Sequence, residues 1–303
     1  MIREYALNPD VVVSDINILQ RFFAEFGADK GRVLVDVPQK WTDSVRQGVQ
    51  RLGLKPVARS KCILLLERIK KQGVSPKSSV PMNAGDVWLA KVLASPAVAD
   101  LHAILDQQAE DDPKVFSYLN MLGEAPEDWD LGQTESVERR AETMAAAVST
   151  SLRLARTLHL VDPYFDPTDD RYRIPLLKFI EEIGKGRVGL KKLVVHTVEQ
   201  ARDRAAPKNR AEIERGLVEH VQPCLPAGFQ VDVWIRTPNA MHDRFLLTDM
   251  VGYSFGHGLN EVAYQASLKV NINRLSEDGR SEQWKIFANP QGRIYEPLTV
   301  VGG

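Results

Sequence analysis

Residues 241 to 261, MHDRFLLTDMVGYSFGHGLNE, place His242, Arg244, Asp249, His257 and Asn260 in one short stretch with the glycines Gly256 and Gly258. An imidazole can attack phosphorus or carry a proton near neutral pH. A guanidinium offers a planar fork to phosphate oxygens. Glycines let a ligand approach the backbone closely. The alternation in HDRFLLTD reads as a strand, with His242 and Arg244 on one face and Phe245 and Leu247 directed to the core. A hairpin turning at Met250–Val251 returns Gly256 and Gly258 beside residues 243 to 245, with Asn260 near the same end. These residues together make a pocket edge suited to a phosphate.

The spacing H-x-R-x4-D-x6-G-H-x-x-N resembles the phospholipase D superfamily motif H-x-K-x4-D-x6-G-S-x-x-N, with Arg244 at the usual lysine and His257 at the usual serine. The upstream LHLVDPYF also looks like the strand that begins a half-domain of that superfamily, so the resemblance covers about 135–303. It implies that His242 attacks phosphorus to form a phosphohistidine, while a second histidine from another motif copy protonates the leaving oxygen. It implies that Arg244 and Asn260 hold the non-bridging oxygens, that Asp249 supports them, and that no metal or cofactor takes part. His257 would replace the serine hydrogen bond or add an imidazole within the subunit. The chain holds one copy of the motif; His102, its sole N-terminal histidine, precedes Ala103 and Ile104. The resemblance therefore implies a homodimer with His242 near the two-fold axis, and a nuclease acting on DNA, in phage or mobile-element defence. The HDR and GHGL spellings are also similar to the non-catalytic domain behind MIT domains. That similarity implies a silent adaptor binding an anionic ligand or a protein partner.

The elements that must position these residues alternate. After an acidic linker, GEAPEDWDLGQTES, a long helix covers about 138–158. LHLVDPYF is a strand, IPLLKFIEEIGKG a helix, LKKLVVHTV a strand, NRAEIERGLVEHVQPCL a helix and FQVDVWIRT a strand. Such alternation implies a mixed, largely parallel sheet between helices. Asp162 and Tyr164 follow a strand whose carboxyl end should lie near the motif, where ligands gather in parallel sheets. Asp162 either orients a histidine or serves as a turn residue before Pro163. His159 and His196, on strands, read as structural.

The N-terminal part reads as helix-rich mixed α/β. Asp10 or Ser14 is expected to cap a helix through INILQRFFAEFG. RVLVDVP is a strand, and helices follow through SVRQGVQRLG and SKCILLLERIKKQG. Helical patterns are read near 84–95, 97–109 and 112–122. These divide the chain into an N-terminal domain, 1–127, able to take a protein partner, and a phospholipase D-like domain, 128–303. SDINILQRFF is superficially similar to the first acidic strand of PIN nucleases, but the later acids that family needs are not arranged here.

Of the 303 residues 44% are hydrophobic and 26% charged, with a formal net charge of -1. No global field draws nucleic acid or an anionic membrane, so phosphate binding must come from a local patch. Lys185 to Arg215, including RDRAAPKNR, reads as a solvated basic helix and loop with a DNA-backbone contact as the other reading. Lys70, Lys71 and Lys77 form a smaller basic spot. Cys62 and Cys224 lie far apart and read as reduced cytoplasmic thiols. No apolar run is long enough for a membrane span.

Overall fold

The computed structural model describes residues 1–76, 87–123, 125–199, 208–237, 241–262, 268–289 and 291–303. Lys77, residues 200–207 of the basic stretch and the start of the 84–95 pattern lie outside the described residues. The chain is mixed α/β and divides into two units, Ile2–Leu131 and Gly132–Gly303 with Met1.

In the first unit, β1 (Arg3–Leu7), β2 (Arg32–Leu34), β3 (Ala103–Asp106) and β4 (Val115–Ser117) form a parallel sheet in the order β2-β1-β3-β4. Alternation along β1 sends Tyr5 and Leu7 to one face and Ala6 to the other. Tyr5 and Leu7 pack with Phe22, Trp41 and Leu66. Ala6 packs with Ile104, Val115 and Trp88. The helices are α1 (Pro9–Val12), α2 (Ile16–Glu25), α3 (Trp41–Arg51), α4 (Pro56–Gln72) and α5 (Trp88–Leu93).

Four expectations change here. The patterns at 97–109 and 112–122 contain β3 and β4, flanked by 3-10 turns at Pro96–Asp100 and Tyr118–Asn120. Both strands are only a few residues long, and over such runs periodicity does not separate strand from helix; pairing with β1 decides. The cap of α2 is Asp15, whose carboxylate accepts from the Asn17 amide, rather than Asp10 or Ser14. SDINILQRFF is therefore cap and helix, not an acidic strand. The linker also begins later than its composition suggests. The Arg32 guanidinium lies 4.0 Å over the Trp129 ring and donates to the Trp129 carbonyl, and Arg3 pairs with Asp128 at 2.6 Å. Burial of Trp129 thus carries the first unit to Leu131.

In the second unit, the sheet runs β12-β8-β7-β6-β9-β10-β11-β5. Its strands are β5 (Thr134–Glu138), β6 (Leu158–Val161), β7 (Lys192–Val198), β8 (Gln230–Arg236), β9 (Phe245–Thr248), β10 (Gly252–Phe255), β11 (Lys269–Arg274) and β12 (Leu298–Val301). β6, β7 and β8 are parallel, joined by α7 (Asp170–Gly184) and by α8 (Arg210–Gly216), which continues through a π-helical turn at Leu217–Val221. The flanking ladders are antiparallel. α6 (Ala141–Leu154) packs beside α7, and α9 (Glu277–Ala288) sends Phe287 onto Val161, Phe245 and Leu247. The pairing of Val161 with both His196 and Phe245 sets these side chains on one face. Their neighbour positions, Leu160 and Val195, face Leu176 and Phe179 of α7.

Candidate functional site

The β9–β10 hairpin turns as its sequence suggests, pairing Leu247 with Gly252 and Phe245 with Ser254. The strand begins at Phe245, so His242 and Arg244 precede it rather than lying on it. The Phe255 amide still donates to the Arg244 carbonyl at 3.0 Å, which brings residues 256 to 260 back beside Arg244. The β6 loop, Asp162 to Phe165, reaches the same place from the carboxyl end of β6.

Asp162 joins the two loops. One carboxylate oxygen accepts from the Tyr164 amide at 2.9 Å and the other from the Leu259 amide at 3.0 Å. The side chain is buried. Burial raises its pKa, opposed by those two amides and by the charges of Arg244 and Lys208. Asp162 is thus the turn-holding residue among its two readings; among the described residues no hydrogen bond joins its carboxylate to a histidine ring. Gly258 permits the closeness. Its φ is +101°, and a Cβ there would stand 2.8 Å from Asn260 Oδ1 and 3.4 Å from Asp162 Oδ2.

The Arg244 guanidinium lies 4.9 Å from the centre of the Tyr164 ring. One of its Nη atoms donates to the His242 carbonyl at 3.3 Å, while its Nε is buried with no acceptor. Among the described residues Arg244 has no ion-pair partner. The Nε atoms of Arg32, Arg59 and Arg293 are buried without an acceptor in the same way, so this feature does not single out Arg244. His242 and His257 are exposed. No hydrogen bond reaches the His242 ring among the described residues.

Arg139, unmarked in the sequence, holds the 257–260 turn. Its Nε donates to the Asn260 carbonyl at 2.8 Å, and an Nη donates to the His257 carbonyl at 2.6 Å and to Asn260 Oδ1. Burial lowers its pKa, with Arg171 and Arg244 acting in the same direction. Glu261, also unmarked, accepts from the Ala141 amide at the start of α6 and donates its own amide to the Arg171 carbonyl. Asp249 lies at the other end of β9 from Arg244, accepting from the Arg156 and Thr157 amides. His242, Arg244, Tyr164, Asp162, the glycine turn and Asn260 therefore come together, and Asp249 stands apart from them.

The basic loop yields a different residue from the solvated patch expected. Lys208 is buried, and its Nζ donates to the Pro163 carbonyl at 2.9 Å, the Phe165 carbonyl at 3.0 Å and Thr197 Oγ1 at 2.8 Å. Three cations, Arg139, Arg244 and Lys208, thus act on the one buried carboxylate of Asp162. No group of His, Cys, Asp and Glu suited to a metal ion exists among the described residues. No helix among them is long and apolar enough to cross a membrane.

His159 and His196 stack, with centroids 5.2 Å apart, and are joined by a 2.9 Å hydrogen bond from ring to ring. Arg236 Nε donates to His196 Nδ1 at 3.0 Å, so His196 carries its proton on Nε2 and donates to His159 Nδ1. Burial drives the His159 pKa down to about 4 and that of His196 well below its ordinary value. The Arg236 guanidinium also donates to the Phe287 and Asn289 carbonyls at the end of α9. A buried cation at a helix carboxyl end is favourably placed, and the pair has the structural character its strand setting suggests.

No family model matches the chain, and no curated protein matches it. Among solved structures it is similar to TrmBL2, an archaeal chromatin protein whose structure shows a novel mode of DNA binding; the match has 10% identity over 52% of each chain and a TM-score of 0.28. The chain thus spans about half the length of that protein. A TM-score this low establishes no shared fold, and nothing about the site follows from it.

Proposed function

We propose that the second unit binds the phosphate of a DNA phosphodiester at Arg244 and cleaves it without a metal when two chains meet at the site. The observation that carries the binding is the Arg244 guanidinium: it lies over the Tyr164 ring, is half-buried, and has no ion-pair partner among the described residues. An anion accepting from its Nη atoms supplies the missing counter-charge. In the cleavage step, a nitrogen of His242 forms a bond to phosphorus as the phosphorus–oxygen bond to the leaving group breaks. A His242 ring from the second copy gives its proton to the leaving oxygen. Water then hydrolyses the phosphohistidine. Arg244 bears the charge that grows on the non-bridging oxygens.

A second reading is a silent adaptor that grips the same anion without turnover. Two observations favour it: the His242 ring lacks an orienting hydrogen bond among the described residues, and the Asn260 amide nitrogen, the donor a phosphate oxygen needs, donates to the Glu261 carbonyl at 3.4 Å. The test is the full chain mixed with fluorescein-labelled single- and double-stranded DNA and RNA in excess chelator, read by anisotropy for binding and by gel for cleavage. Chelator-resistant cleavage supports the enzyme, and binding without cleavage supports the adaptor. Cleavage that vanishes with chelator and returns with magnesium overturns the histidine mechanism.

A further inference from the structure

We infer that Lys208 is a positioning residue for the anion site, acting through Tyr164 on Arg244. The inference rests on the reading of Arg244 as the anion grip. Tyr164 sits in a tripeptide whose two flanking carbonyls, of Pro163 and Phe165, are both held by the one Lys208 ammonium. Its third proton goes to the hydroxyl of Thr197, a fully buried residue of β7. That hydroxyl is itself 3.3 and 3.2 Å from the same two carbonyls. The Tyr164 amide is held from the other side by Asp162. Backbone before, at and after Tyr164 is therefore fixed to β7 and to the glycine turn, while the residue stays 37% exposed. The held backbone sets the direction in which the side chain leaves the loop, and Arg244 lies over its ring.

The chemistry explains why a lysine suits this place. A buried ammonium needs acceptors for all three protons, and two carbonyls and a hydroxyl supply them. A neutral side chain could hold at most some of these groups and would leave the others buried and unpaired. The ammonium also adds a positive charge beside Asp162, easing the burial of that carboxylate. One buried cation thus orders the β6 loop that carries Tyr164. An ordered guanidinium loses less freedom when an anion arrives, which is how a residue without ligand contact raises affinity.

The test reads Arg244 directly. Its Nε–H resonance, assigned by its loss in Arg244→Met, is expected to be shifted upfield by the Tyr164 ring. Tyr164→Leu removes that shift. Lys208→Met is expected to move the resonance to the Tyr164→Leu position and to weaken binding of a fluorescein-labelled DNA oligonucleotide by about tenfold. Lys208→Met and Tyr164→Leu should not add, since they act in series. A Lys208→Met protein that is folded, with the Arg244 resonance unmoved, overturns the inference, as does full additivity. If Lys208→Met does not fold, Thr197→Val, which removes the third acceptor, takes its place with the same two criteria. Failure of the wild type to bind the oligonucleotide sinks the proposed function alone, because the resonance needs no ligand.

Discussion

Arg244→Met separates what the guanidinium does for the fold from what it does for a ligand. In the free protein the buried, unsatisfied Nε costs about 1–3 kcal/mol. The contact with the Tyr164 ring, half open to water, returns roughly 0.5–1 kcal/mol. Methionine keeps an unbranched stem against that ring and brings no donor. The balance leaves unfolding free energy unchanged or raised by up to about 2 kcal/mol. The lost attraction to Asp162 holds the gain below that upper figure. Affinity moves the other way. Removing charge-assisted hydrogen bonds worth roughly 1.5–3 kcal/mol weakens binding about 10- to 150-fold. The slope of log Kd against log salt should also fall by about 1. Anisotropy of a labelled oligonucleotide across a salt series, paired with thermal unfolding, reads both. A variant whose Tm falls by about 5 °C or more while its affinity stays within twofold would refute the assignment, for Arg244 would then be a structural residue.

His242→Ala should abolish cleavage and leave Kd within a few-fold, since the grip rests on Arg244; a large loss of affinity would move His242 into the grip. Gly258→Ala meets both a positive φ and Asn260 Oδ1 at 2.8 Å, so it should cost roughly 1–3 kcal/mol and weaken binding; calorimetry showing no loss would mean the turn relaxes freely. The His159 pKa, lowered from 6.5 to about 4 by burial, makes the folded state resist a proton that the unfolded chain accepts. Stability is therefore complete above pH 6.5 and falls as the pH drops toward 4, by an amount on the order of 3 kcal/mol from this group. His159→Phe should flatten that limb in denaturant titrations, and an unchanged limb would show that the pair titrates normally.

The hairpin and the meeting of its ends were legible in the sequence because a strand's two-residue period and a short turn fix which residues return beside Arg244. The parallel strands β6, β7 and β8 were legible from long apolar runs separated by helical ones. β3 and β4 were not, because AILD and VFS are too short for periodicity to separate strand from helix. Lys208 was hidden for a related reason. A lysine in a basic, proline-containing loop looks solvated unless its acceptors are known, and those acceptors are backbone carbonyls about 40 residues earlier. Backbone carbonyls leave no trace in side-chain spacing. Arg139 and Glu261 escaped likewise, since each is recognised by main-chain atoms across the fold. Asp249 kept its spacing from His242, but a strand carries it to the opposite end of the hairpin from Arg244.

Enzyme and adaptor share the Arg244 grip and divide at the His242 ring. A nucleophilic imidazole needs a group to orient it, and a leaving oxygen needs an acid. Neither is supplied to His242 by the described residues of its own chain. A second copy of the chain, placed by a two-fold axis, would bring another His242 to the same phosphate. This has a quantitative consequence that no single-chain mechanism shares. When wild type is mixed with an equal amount of His242→Ala and the chains exchange freely, only about a quarter of the dimers carry two His242 rings. The activity of a fixed amount of wild-type chain should then fall to roughly half. A monomeric enzyme would be unaffected by the added variant. Cleavage that stays constant on mixing, with exchange shown by mass spectrometry of labelled chains, would place both imidazoles in one subunit and make His257 the acid.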